Sequence, residues 1–134
     1  MSATGLPIVR ARDVMNKKIH YIDGMATVKE AAAVMKKENI TTLIVQKRSA
    51  DDAWSMVCSQ DMIKGVTIAD KKPEAVHVYE IMSKPIVTVP SDMDIRYVAR
   101  LMHRIGIRRA PVEDRGELVG IITQADLILR SNLF

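Results

Sequence analysis

The stretch DVMNKKIHYI (residues 13–22) lies over EIMSKPIVTV (80–89) without a gap, and this match of the chain to itself decides the fold. Met15 falls on Met82, Lys17 on Lys84 and Ile19 on Ile86, all at an offset of 67 residues. The same offset carries Ala32 onto Ala99, Met35 onto Met102, Ile40 onto Ile107 and Val45 onto Val112. After a loop two residues longer in the first copy, SMVCSQDMI (55–63) matches GIITQADLI (120–128) at an offset of 65. Cys58 then stands on Thr123, and Asp61 on Asp126. The chain is a tandem duplication.

Each copy has the same local grammar. A short extended segment (Ile19–Ile22; Ile86–Val89) leads to a helix start, with Thr27 and Asp94 as the natural N-caps. Glu30, three residues after Thr27, completes a capping box. Apolar residues then recur at Val28, Ala31, Ala32 and Met35, and at Ile95, Val98, Ala99 and Met102, one stripe per helix. Two strands follow, TTLIV and WSMVC in the first copy, RAPV and ELVGII in the second, joined by polar hairpin loops. A second helix is expected from about Asp61 to Ile68 and from about Asp126 to Ser131. The fold class is α/β, two β-α-β-β-α repeats packed as a pseudo-two-fold pair. The expected division is a leader at 1–9, a first repeat at 10–69, a charged, proline-containing linker at 70–76 and a second repeat at 77–134.

At 134 residues the chain is the size of one ordinary domain, and each repeat alone is small for a core. Packing two repeats symmetrically predicts two equivalent clefts, the kind of place ligands favour. Hydrophobic residues make up 48% of the chain but aromatics only 4%, so aliphatic residues and nine Met do the packing. No apolar run approaches the roughly 20 residues of a membrane helix. The lone Cys58 forms no internal disulfide, and the N-terminus reads as no signal peptide, so the expected compartment is the cytoplasm. A net charge of +4 suits anionic partners without demanding nucleic acid.

The paired starts DVM and EIM, the segment GIRRAPV (106–112) and GIITQAD (120–126) together resemble a tandem pair of CBS (cystathionine-beta-synthase-type) domains, a Bateman module of the stand-alone kind. The resemblance runs from about Arg12 to Arg130. It implies an adenosyl ligand (AMP, ADP, ATP, NAD or S-adenosylmethionine) held between the repeats, and no prosthetic group. By that resemblance Asp126 accepts the ribose hydroxyls, Thr123 supports ribose or phosphate, and Arg108 and Arg109 lie where a phosphate-binding residue belongs. Ile19 and Val57, with Ile121, sandwich the adenine. A second, weaker site comprises Thr42, Asp61 and Ile86. The resemblance further implies a homodimer, with the helix stripes as candidate surfaces, and a protein target that reads the ligand state.

The residue chemistry is consistent with that assignment. A carboxylate takes two hydroxyls at once, and charge-assisted bonds are the stronger kind. Arginine donates bidentately to phosphate. The same Thr-x-x-Asp pattern is also a helix cap, and one residue can serve both ends. Neighbours in a strand face opposite ways, so only one of Arg108 and Arg109 enters a common pocket, and the resemblance favours Arg109, three residues before Val112. The first copy departs from the pattern: Ser55 replaces the glycine, Cys58 the threonine, and Thr41 and Thr42 the arginines. Its site reads as weak, altered or empty, and Cys58 as packing rather than redox chemistry. His20, His77 and His103 show no metal-ligand spacing, and no nucleophile–base set appears, so neither a metal nor a catalytic residue is expected. The rivals are a ligand-free interaction module and, against the shortage of stacking aromatics, a nucleic-acid binder.

Overall fold

The computed structural model describes residues 7–134, and the first six residues of the expected leader lie outside them. The first half contains α1 (Ala11–Val14), β1 (Tyr21–Ile22), α2 (Val28–Glu38), β2 (Thr42–Val45), β3 (Ser55–Cys58) and α3 (Ser59–Met62). A π-helical stretch continues α3 over Ile63–Ile68, and a short 3₁₀ turn covers Pro73–Ala75. The second half contains α4 (Val78–Ile81), β4 (Val89–Pro90), α5 (Ile95–Ile105), β5 (Arg109–Asp114), β6 (Glu117–Thr123) and α6 (Gln124–Leu129). The strands form two three-stranded sheets, ordered β1-β2-β3 and β4-β5-β6. In each, the first strand runs parallel to the second and the second antiparallel to the third.

The long helices start where the caps predict. Thr27 Oγ1 accepts the Glu30 N–H at 3.1 Å while the Thr27 N–H donates back to Glu30 at 3.3 Å. Asp94 Oδ1 accepts the Arg96 N–H at 2.9 Å. Such caps stabilise by about 1 kcal/mol each. Both helices end on a left-handed residue at equivalent positions, Asn39 (φ 54°) and Gly106 (φ 72°), a conformation glycine adopts freely and asparagine tolerates. The second helices begin two residues earlier than expected, at Ser59 and Gln124. Cys58 and Thr123 are their N-caps, so the aspartates sit inside the first turn.

The apolar stripes are spent on the cores. Ile95, Val98 and Met102 join Val89, Ala110, Val112 and Ile122 in one cluster, and Ala31 and Met35 join Leu43, Val45 and Val57 in another. Val28 packs with Val66 and Val76. Val28, Ala31, Met35, Ile95, Val98 and Met102 are thus unavailable as a dimer surface, whereas Ala32 and Ala99 stay half-buried.

The two compact units do not follow the two halves of the sequence. A terminal unit joins the described part of Met1–Ile19 to Val87–Phe134, and a central unit spans His20–Ile86. The opening segment of each repeat is therefore built into the unit that holds the other repeat's sheet. In the terminal unit Ala11 and Arg12 donate to the carbonyls of Met93 and Ser91 at 2.8 and 2.9 Å, and Ile95 donates to Val9 at 2.9 Å. In the central unit Val78 and Tyr79 donate to Ala26 and Gly24 at 2.8 and 3.0 Å, and Val28 donates to Val76 at 2.8 Å. These are the same three bonds displaced by 67 residues. Val76, in the stretch read as linker, is only 3% exposed and belongs to a core cluster.

Candidate functional site

In the terminal unit β5 pairs with β6 so that Arg109 faces Thr123, Ala110 faces Ile122, Pro111 faces Ile121 and Val112 faces Gly120. Partners across an antiparallel ladder share a face of the sheet. Ala110, Val112 and Ile122 are fully buried in the core cluster. Arg109, Pro111, Ile121 and Thr123 consequently share the opposite face. Arg108 precedes the strand and is exposed, and its carbonyl accepts the Gln124 N–H at 2.9 Å. The register thus puts Arg109, not Arg108, on the face of the threonine.

At the end of β6 the chain turns into α6 through a reciprocal box. Thr123 Oγ1 accepts the Asp126 N–H at 3.1 Å, and the Thr123 N–H donates to Asp126 Oδ2 at 2.9 Å. Asp126 Oδ1 lies 4.0 Å from the Arg130 guanidinium, and the aspartate side chain keeps 17% of its surface exposed. A carboxylate has about four acceptor positions, so capping leaves room for further hydroxyl donors. Asn16 and Ile121 exchange both backbone hydrogen bonds at 2.9 Å. This brings the segment after α1 so close that a Cβ on Gly120 would meet Met15 Sδ at 2.5 Å and the Asn16 carbonyl at 2.9 Å. Ile19 lies three residues beyond Asn16, half-buried, in the same unit. Six of the seven residues expected at the main site therefore fall in the terminal unit: Ile19, Arg108, Arg109, Ile121, Thr123 and Asp126.

Val57 is the exception. It pairs with Leu43, is fully buried and belongs to the core of the central unit. Its own alternation explains this: Cys58 and Met56 point to one face, and Val57 between them to the core. Met56 holds the place equivalent to Ile121, at the offset of 65 residues.

The central unit repeats the junction with different chemistry. Thr42 pairs with Cys58. The Cys58 N–H donates to Asp61 Oδ2 at 2.8 Å, and its thiol donates to the same oxygen at 3.2 Å. Burial raises the thiol's pKa above its ordinary value, which keeps it a protonated donor. The terminal hydroxyl accepts from the helix, whereas the central thiol donates to the aspartate. Met56 and Ser83 exchange backbone bonds at 3.1 and 2.8 Å, the counterpart of Asn16 and Ile121. Ser55, at the glycine position, is 2% exposed. Thr42, Asp61 and the half-buried Ile86 all lie in this unit. Among the described residues no three His, Cys, Asp or Glu side chains are grouped to hold a metal, and no helix is long and apolar enough to cross a membrane.

Comparison with known proteins matches both halves. A family model described as "CBS domain" covers residues 11–66 and again 78–132. The chain superposes on the hexameric CBS-CP12 protein of bloom-forming cyanobacteria with a TM-score of 0.89 and 36% identity, over 93% of this chain and 72% of that one. A CBS domain pair solved in complex with 5′-methylthioadenosine and S-adenosyl-L-methionine superposes with a TM-score of 0.77 and 26% identity, over 91% of this chain and 94% of that one. An uncharacterized protein of Methanopyrus kandleri is 33% identical over 103 residues, 76% of this chain; the match spans only 52% of that relative's length.

Proposed function

Because the chain belongs to the CBS-domain family, we propose that it is a non-catalytic regulatory module whose terminal unit holds an adenosyl ligand at the β6–α6 junction. The observation that carries the reading is the register that sets Arg109 beside Thr123 at the start of the helix bearing Asp126. Asp126 accepts the ribose hydroxyls, Arg109 meets phosphate or another anionic group, and Ile121 with Ile19 offers apolar surface to the base. The ligand-bound CBS pair above supports the adenosyl class, and AMP, ADP, ATP, NAD and S-adenosylmethionine are its candidate members. The central junction, with Thr42, Cys58 and Asp61, is the weaker or empty one. The module works in the cytoplasm, as a homodimer or higher homo-oligomer, and a partner protein reads its ligand-dependent state. The hexameric cyanobacterial relative supports self-association. Such a switch requires unequal ligand affinity for two conformations.

A second reading, a ligand-free interaction module, has one observation in its favour: the Thr123–Asp126 pair forms a complete capping box, a structural role sufficient in itself. Thermal unfolding separates the two. Ligand at about 100 times its dissociation constant stabilises by about 2.7 kcal/mol. The proposal expects one of the five ligands to raise the melting temperature of the wild type and of Asp61→Ala, and not of Asp126→Ala. Both variants lose a helix cap, so the difference between them isolates the ligand. No shift with any of the five leaves the interaction module.

A further inference from the structure

Among the described residues no aromatic belongs to a core cluster. Three aromatic residues gather on the central unit. Tyr21, 42% exposed, lies 6.1 Å from the Trp54 ring, and Lys47 Nζ sits 4.6 Å from the centre of that ring. Tyr79, 50% exposed, donates its backbone N–H to Gly24 and packs its Cβ beside that glycine, and Met25 next to it is 66% exposed. Exposed Tyr and Met with a half-buried Trp beside a cation are the composition of a binding surface.

The duplication supplies the counterpart. At an offset of 67 residues Tyr79 corresponds to Arg12, Gly24 to Ser91, Met25 to Asp92 and Lys47 to Asp114. On the terminal unit those residues line an open cavity of about 500 Å³ with Glu113 and Arg115. The central positions carry a tyrosine, a methionine and a lysine, with the Trp54 ring against that lysine and Tyr21 beside the ring. The equivalent face carries two guanidiniums and three carboxylates in a concave setting. Guanidiniums stack on Tyr and Trp rings, and the carboxylates suit the Lys47 ammonium and the tyrosine hydroxyls.

We infer that the aromatic face of the central unit docks into the Arg12–Asp114 cavity on the terminal unit of a second copy of this chain. The occupant is a second copy because one chain carries both complementary surfaces. The contact is heterologous. Two reciprocal contacts per pair of copies would instead close an isologous dimer, and one per pair builds a ring or filament. This inference rests on the proposal of self-association and names the surface that performs it.

The test is sedimentation velocity of the full chain across a concentration series, for the wild type, Tyr79→Ser, Lys47→Asp, Asp114→Lys and the Lys47→Asp/Asp114→Lys double variant. Tyr79 and Asp114 are exposed and Lys47 is half-buried, and circular dichroism checks that each variant is folded. The expected result is a self-associating wild type and single variants that associate about tenfold more weakly or worse. The double variant, which restores opposite charges, recovers association. A self-associating wild type whose single variants associate equally well overturns this surface and leaves oligomerisation standing. A wild type that stays monomeric overturns both.

Discussion

The two strand-to-helix junctions have the same backbone and different chemistry. In both, an aspartate in the first turn accepts the N–H of the residue that ends the strand, at 2.9 Å in the terminal unit and 2.8 Å in the central one. The carboxylate alone is therefore a structural device that the fold needs twice. What differs is its surroundings: Gly120 against Ser55, Thr123 against Cys58, Arg109 against Thr42. The proposed ligand site is the aspartate with those three around it, and of the two junctions the terminal one carries that set.

Exchanging the differing residues breaks or sharpens this contrast. The largest effect is expected from Gly120→Ser, which gives the terminal unit the central residue. Its Cβ would strike Met15 Sδ at 2.5 Å and a backbone carbonyl at 2.9 Å, and the carbonyl is held in a two-bond bridge. A loss of about 2 kcal/mol is expected in urea unfolding; an unchanged midpoint would show that the segment after α1 yields. Next come Asp126→Ala and Asp61→Ala. Each orphans a backbone N–H, and each should lose about 1–2 kcal/mol. The two losses are predicted to match within error, because the capping bond is the same in both. Cys58→Thr runs the other way. A hydroxyl at that N-cap accepts the Asp61 N–H, and the melting temperature should rise by the equivalent of about 0.5–1 kcal/mol.

The smallest expected effect is one of pH. In the central unit Asp52 bonds Lys84 Nζ at 2.6 Å and the Arg48 N–H at 3.0 Å, and the lysine bond leads in holding its carboxyl far below the usual carboxylate range. A depressed folded pKa contributes stability that is present above the unfolded value of about 4 and lost as pH falls below it. Acid titration of unfolding should therefore be shallower below about pH 4 in Asp52→Asn than in wild type. Equal slopes would mean that solvent screens the ion pair completely.

Much of this was legible in the sequence. The self-match from Asp13 to Val45 is gapless, so the repeat grammar, the caps at Thr27 and Asp94 and the two helical stripes could be read directly. The exchange of opening segments could not. It depends on backbone bonds such as Arg12 to Ser91, which any residue but proline can donate and which leave no trace in side-chain type. Val57 was placed by resemblance at the ligand. The alternation of a half-buried strand puts it in the core, one position from Met56, because a shift of one residue exchanges the faces. At the candidate site the sequence offers two adjacent arginines, and the strand register, which side-chain type does not reveal, pairs Arg109 with Thr123.

The most direct test of the account is isothermal titration of the wild type with AMP, ADP, ATP, NAD and S-adenosylmethionine. The account predicts that one of these binds at one site per chain, and that Arg109→Thr, which installs the central residue, weakens that binding. Two equivalent sites per chain, or one site indifferent to Arg109→Thr, would contradict the claim that the terminal junction alone is built for the ligand.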